Sequence, residues 1–262
     1  MGIFLALWVF EEQATIVMIL LTVMAAIPLM YNTLKFEEDK DLTASSEKNM
    51  LRQHYRILAA FMFLFLGFVA AFSIVYISGS TEMVDKLFSS QTDTISEINS
   101  KVTGVEVLSG SAYSEGLLLR IFSNNLKVML FCVFFSFFFG SGAIFILTWN
   151  ASVISAAIGN FFRTNISDYA MQAGFIQVAG YFHIYSLSLL RYFVHGLPEI
   201  LAYFIGGLAG GIISVAVIKH DFSTRVFGKV LRDALHLILL GIVVLFIAGL
   251  LEVYVTPLLV NF

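Results

Sequence analysis

Val128–Phe162 reads VMLFCVFFSFFFGSGAIFILTWNASVISAAIGNFF, thirty-five consecutive residues without a single charge. A span of the bilayer takes about 20 apolar residues at 1.5 Å of rise each. A straight helix of this length would far overshoot a hydrocarbon core of about 30 Å. The run therefore holds one crossing and a break. The reading adopted here is a span over Val128–Thr148, a break near Trp149-Asn150, and a short interfacial or re-entrant helix over Ala151–Phe162. The competing break is Gly140-Ser141-Gly142.

The same length test finds further spans on either side. Ala14–Leu34, Ile57–Ile77 and Ile200–Ile218 are uncharged and apolar. Tyr169–Leu190 qualifies with His183 inside it, and Ala234–Leu251 with His236 near its start. The expected fold is an all-α polytopic bundle of about six spans forming one domain over residues 1–262. Composition agrees: 59% of residues are hydrophobic and 13% charged, against roughly 25% charged in a soluble domain. Much of the surface must face lipid. A net charge of −3 provides no basic field for nucleic acid. Cys132 is the single cysteine, so no intrachain disulfide forms. Gly2–Phe10 is apolar but too short to span, and it lacks the basic region and cleavage site of a signal peptide. It reads as the outer half of a membrane helix whose inner half is absent.

Lys and Arg set the expected orientation. Residues 35–56 carry Lys35, Lys40, Lys48, Arg52 and Arg56, and residues 219–233 carry Lys219, Arg225, Lys229 and Arg232. With these segments and Arg163 on the cytoplasmic side of the cell membrane, the spans alternate, and 78–126 and the C-terminus lie outside. On this topology Asn150-Ala-Ser and Asn165-Ile-Ser face inward, away from glycosylation. Within the outer loop Val84, Leu87, Phe88, Ile95, Ile98 and Val102 recur at helical spacing, predicting an amphipathic helix over 81–102. It either packs over its own membrane domain or docks a partner or second copy. Val105–Ser114 reads as a turn, with the next helix starting near Ser114.

Polar residues inside the spans are the functional candidates. His195-Gly-Leu-Pro-Glu199 precedes the span Ile200–Ile218, with Pro198 suited to a first helical turn and Arg191 one turn earlier. Glu252, near the outer end of the last span, matches their depth. His183 shares a face with Gln177, Tyr181 and Tyr185. Either these groups bond neighbouring helices or they line a solute or proton path. Asn124, Asn125 and Asn150 read as helix-end hydrogen-bonding residues. Ala202, Gly206, Gly210 and Ser214, with Gly207 and Gly211, give the four-residue small-residue spacing that lets helices approach closely, within one subunit or in a homo-oligomer. No His-Glu-x-x-His, Walker A or dinucleotide motif occurs. Phe139 stands where a rhomboid-type serine site around Ser141 needs glycine. No catalytic residue, cofactor or metal site is expected.

Several of these stretches resemble the stage II sporulation protein M family (DUF95). They are Ser123-Asn-Asn-Leu-Lys-Val128, Gly140-Ser-Gly142, Trp149-Asn150, His195-Gly-Leu-Pro-Glu199 with Gly206-Gly207 and Gly210-Gly211, and Glu252-Val-Tyr-Val-Thr256-Pro257. Leu21–Tyr31 and Glu37-Glu38-Asp39 look most like its archaeal branch. Two departures stand out: Asn150-Ala151 replaces the usual Asn-Gly, and the first helix is shorter than in archaeal members. The resemblance implies an integral membrane protein without catalysis. In spore formers such a protein anchors partners that remodel the cell wall; here the fold and membrane role carry over but the sporulation role does not. The function expected is a membrane scaffold that recruits an unidentified membrane or extracytoplasmic protein. The alternative is a transporter or channel for a small solute or ion, which would use broken helices and polar groups at mid-membrane.

Overall fold

A computed structural model describes residues 2–41, 50–103, 111–139, 143–166, 175–219, 225–256 and 258, and among these all regular structure is helical. Helix α1 (Gly2–Val9) passes through a short 3-10 segment, Glu11–Gln13, into α2 (Ala14–Asp41). Then come α3 (Met50–Ser78), α4 (Thr81–Thr103), α5 (Ser111–Phe139) and α6 (Ala143–Asn165). Helix α7 covers Phe175–Lys219, and α8 (Arg225–Leu250) runs on into a π-helical turn, Leu251–Val255. Among the described residues six stretches are long and apolar enough to cross a membrane: Glu11–Leu29, Tyr55–Ser78, Gly116–Phe138, Ala143–Thr164, Tyr192–Ser214 and Phe227–Val255.

Contacts fix the helix directions. Gly159 lies against Tyr76, and Arg163 bonds the carbonyl of Gly79, so α3 and α6 run parallel. Gly196 faces Ile154 and Gly207 faces Ala143, so α7 runs against α6. Asn125 meets Glu199 and Val133 meets Gly210, so α5 and α7 run together. Gly241 lies by Ala202 and Thr256 by His195, so α8 returns. The C-terminal end of α2, the start of α3, the end of α7 and the start of α8 therefore share one end of the bundle, the basic end. Gly79, Arg163, His195 and Thr256 lie toward the other.

α6 and the spanning part of α7 form the centre, with more than half their residues buried, whereas α5 has 22%. Phe63, Ile74, Phe131, Phe134, Leu239 and Val243 point outward, as helices solvated by lipid require. Helix α1 folds back along α2, placing Gly2 against Leu21 and burying Ala6. The amphipathic helix expected over 81–102 is present as α4, buried through Val84, Leu87 and Phe88. The helix expected near Ser114 starts at Ser111, and most of the expected turn lies outside the described residues.

The expected course after α5 needs correction. The uncharged run does not break at Trp149-Asn150. Helix α5 is described to Phe139 and α6 from Ala143, and the competing break at Gly140-Ser141-Gly142 lies outside the described residues. Asn150 stays helical because its amide donates back to the Ile146 carbonyl at 2.8 Å. Ala151–Phe162 is thus the body of a full span rather than a short re-entrant piece. Tyr169–Leu190 is not a separate crossing. Its described part belongs to α7, 45 unbroken residues, and one unbroken helix crosses once. Six spans remain, with Ala143–Thr164 taking the place of Tyr169–Leu190. Arg163 moves to the end opposite the basic one. There it bonds the Gly79 carbonyl at 2.7 Å and lies 5.9 Å from the Tyr76 ring centroid. That is a favourable use of a cation at a helix C-terminus. Asn165 moves with it. Pro198 is not in a first turn but inside α7, where the missing donor leaves the Val194 carbonyl without its helical bond.

Candidate functional site

Just over two turns of α7 carry His195, Glu199 and Tyr203 on one face, because residues four apart stack along a helix. Tyr203 is fully buried and donates its hydroxyl to Glu199 Oε1 at 2.5 Å. From α5, the side chain of Asn125 also bonds Glu199, and Asn125 is itself buried. Asn124 Nδ2 makes a long 3.5 Å contact to Asn125 Oδ1. With its oxygen used that way, Asn125 has its NH2 group for the carboxylate.

The far wall comes from the end of α8. The π-turn over Leu251–Val255 closes on the Leu251 carbonyl, which accepts the backbone N–H of Thr256. The Thr256 hydroxyl donates to that carbonyl as well, at 3.1 Å. His195 Nδ1 lies 3.0 Å from the same hydroxyl oxygen. A hydroxyl has one proton, and this one is committed to Leu251. His195 must therefore donate from Nδ1, which fixes its neutral tautomer. Glu252, on the same turn, lies within electrostatic reach of both Glu199 and Tyr203. Among the described residues no Lys or Arg pairs with either carboxyl group.

Below this cluster the seam between α7 and α5 is tight. A Cβ on Gly210 would fall 2.2 Å from the Val133 carbonyl oxygen, and one on Gly206 2.8 Å from Met129 Cγ. Ala202 is fully buried beside Gly241 of α8, and Gly207 meets Ala143. Gly211 meets nothing within 4 Å, and Ser214 is only partly buried. A cavity between α3, α6 and α7 is lined by apolar side chains alone, among them Phe61, Phe65, Ile144 and Phe204.

The structure brings together His195, Glu199 and Glu252 of the sequence candidates. It separates His183, which is exposed three turns up α7. The Arg191 side chain lies outside the described residues. Asn124, Asn125 and Asn150 are not helix-end groups. All three sit inside helices, because α5 starts 13 residues before Asn124 and α6 runs through Asn150. Sequence reasoning missed Tyr203 and gave Thr256 no role of its own. Spacing of four from Glu199 could have flagged Tyr203. Nothing in the sequence announces the π-turn that presents Thr256.

A second polar set lies between α4 and α6. Gln91, fully buried, donates to Ser152 Oγ at 2.9 Å, and Ser152 donates to the Trp149 carbonyl. Thr15 donates to the Lys86 carbonyl, and Lys86 bridges Glu11 and Glu82. Ordinary lysine basicity is raised here by hydrogen bonds to Glu11 and then Glu82, and Lys86 in turn holds the Glu82 carboxyl below its usual range. Among the described residues no three His, Cys, Asp or Glu side chains gather as a metal site would require.

The family model described as Stage II sporulation protein M matches residues 59–257, well over half of the chain. No curated protein and no solved structure matches it.

Proposed function

The chain belongs to the stage II sporulation protein M family, and we propose on that premise that it is a non-enzymatic membrane scaffold that recruits protein partners. Its basic end faces the cytoplasm, as the positive-inside rule expects, so α4 starts and the chain ends on the outer side of the cell membrane. The observation that carries the reading is how the spans' polar groups are used. Glu199 is occupied by Tyr203 and Asn125, and His195 by Thr256. They tie α5, α7 and α8 into one rigid unit, and the glycine seam beneath them is in backbone contact. Rigid, tied helices suit a platform for partners.

The competing reading is a transporter or channel, supported by two carboxyl groups at membrane depth beside a π-turn, a feature frequent at functional sites. Reconstitution decides between them. The purified chain in liposomes should leave proton, sodium and small-solute fluxes at the protein-free level. Crosslinking in intact cells should recover the same protein neighbours from wild type and from Glu199→Gln. A flux abolished by Glu199→Gln would replace the scaffold with the transporter.

A further inference from the structure

Asp93 on α4 and Lys127 on α5 face outward at membrane depth, on different flanks of the bundle. On α4, Val84, Leu87, Phe88 and Gln91 are buried, and Asp85, Thr92, Asp93 and Ser96 are exposed. This face is not above the membrane. Gln91 bonds Ser152, nine residues into the span Ala143–Thr164. On α5, Asn125, Met129 and Cys132 are buried, and Asn124, Lys127, Leu130 and Phe131 are exposed. Lys127 lies inside the span Gly116–Phe138. Among the described residues neither Asp93 nor Lys127 has an ion-pair partner.

Their depths coincide. Gly196 faces Ile154, so Ser152, two residues further from the distal end, lies level with about Pro198. Gln91 bonds Ser152, and Asn125 bonds Glu199, which puts Gln91 and Asn125 at one level. Asp93 and Lys127 each come two residues later on helices that both start from the distal end, so they descend by the same rise, about 3 Å along each axis. An uncovered carboxylate or ammonium facing lipid is costly, and such groups in membrane proteins find partners.

We propose that the α4 face of one copy seats against the α5 face of a second copy, with Asp93 paired to the other copy's Lys127. The charges are opposite and at matching depth. Because the two faces lie on different flanks, the contact runs head-to-tail, and a rotation about the membrane normal that closes makes a ring. Pairing α4 with α4 would instead oppose Asp93 to Asp93.

The test uses the full chain in native membranes, with two tagged copies expressed together on a Cys132→Ala background. One carries Ser96→Cys and the other Leu130→Cys, each one turn below its charged residue. Mild oxidation should link the two copies, and Leu239→Cys in place of Leu130→Cys should not. Asp93→Lys or Lys127→Asp alone should weaken the contact between copies roughly tenfold, the scale of one polar helix contact in lipid. The double exchange should restore it, so misfolding of a single variant leaves the test intact. Efficient Ser96→Cys to Ser96→Cys links, a monomer by mass measurement in nanodiscs, or links only to a foreign protein would each overturn the proposal. So would a well-folded double exchange that stays monomeric.

Discussion

Two polar regions share this bundle at similar depth and are handled in opposite ways. Where α5, α7 and α8 meet, Glu199 receives two donors and His195 is tied to Thr256. Along α4, the buried edge is bonded only through the Gln91 amide nitrogen to Ser152, with Gln91 Oε1 buried and unpartnered, and the acidic face is left open. A polar group that is hydrogen-bonded inside the protein is compatible with lipid around it, and an open one is not. The closed region is therefore a structural knot, tied within one chain at Glu199 and His195. The open one is incomplete until something covers it.

The sharpest way to break this contrast is to pry the closed region apart. Gly210→Ala would drive a methyl group into the Val133 backbone, which cannot yield as a flexible side chain does. It should cost about 3 kcal/mol or more, at or beyond the upper end for overpacking. Gly211→Ala, with open space around its Cβ position, should be neutral or slightly stabilising. Thermal unfolding in detergent compares them. Equal losses would mean that the seam is not where the rigidity resides.

A smaller effect separates charge from hydrogen bonding at Glu199. Glu199→Ala leaves Tyr203 and Asn125 with buried donors and no acceptor, a loss of about 2 kcal/mol. Glu199→Gln keeps an acceptor and should cost less than about 1 kcal/mol. If the two variants lose stability equally, the carboxylate charge itself matters, and the knot becomes a functional site rather than a structural one.

How much of this was legible in sequence follows from the kind of force involved. Hydropathy and length gave a six-span helical membrane protein, and helical spacing gave α4 almost to the residue. Neither decides which apolar stretch crosses. Tyr169–Leu190 and Ala143–Thr164 are both long and apolar, and only the continuity of α7 past Pro198 excludes the first as a crossing. Helix breaks were misjudged for a related reason. Asn150 looks like a terminus in isolation, but its amide finds the Ile146 carbonyl in the same helix. Depth matching brought His195, Glu199 and Glu252 together. Thr256 depends on a π-turn that no local pattern reveals, whereas Tyr203 lies one turn from Glu199 on the same helix, a spacing the sequence does carry.

Thr256 tests the closed region at finer grain. Thr256→Val removes the acceptor for His195 Nδ1 while keeping the shape, and should cost about 1 kcal/mol. Thr256→Ser should be silent. Nitrogen NMR of labelled histidine should show Nδ1 protonated in wild type and a shifted tautomer balance in Thr256→Val. An Nε2-protonated wild type would break the proton assignment and with it the closed circuit.

The smallest expected effect lies at the mouth of the open region. Lys86 holds the Glu82 carboxyl below its usual range by a hydrogen bond and by charge. A carboxyl with a depressed folded-state pKa stabilises the fold above its unfolded value and loses that contribution as pH falls through the lower, folded one. The pair is exposed and screened by salt, so the effect is small. Lys86→Met should therefore lower the melting temperature slightly at pH 7 in dilute buffer, and wild type and variant should converge below pH 4 and again in about 1 M salt. Lys86 with its raised value acts in the reverse sense, holding its contribution through neutral pH and losing it only in strong alkali. A difference that persisted at pH 3 would show that Lys86 supports α4 through its packed stem on α2. The α4 edge would then be anchored by contact as the closed region is, and the contrast between the two would narrow to the open acidic face alone.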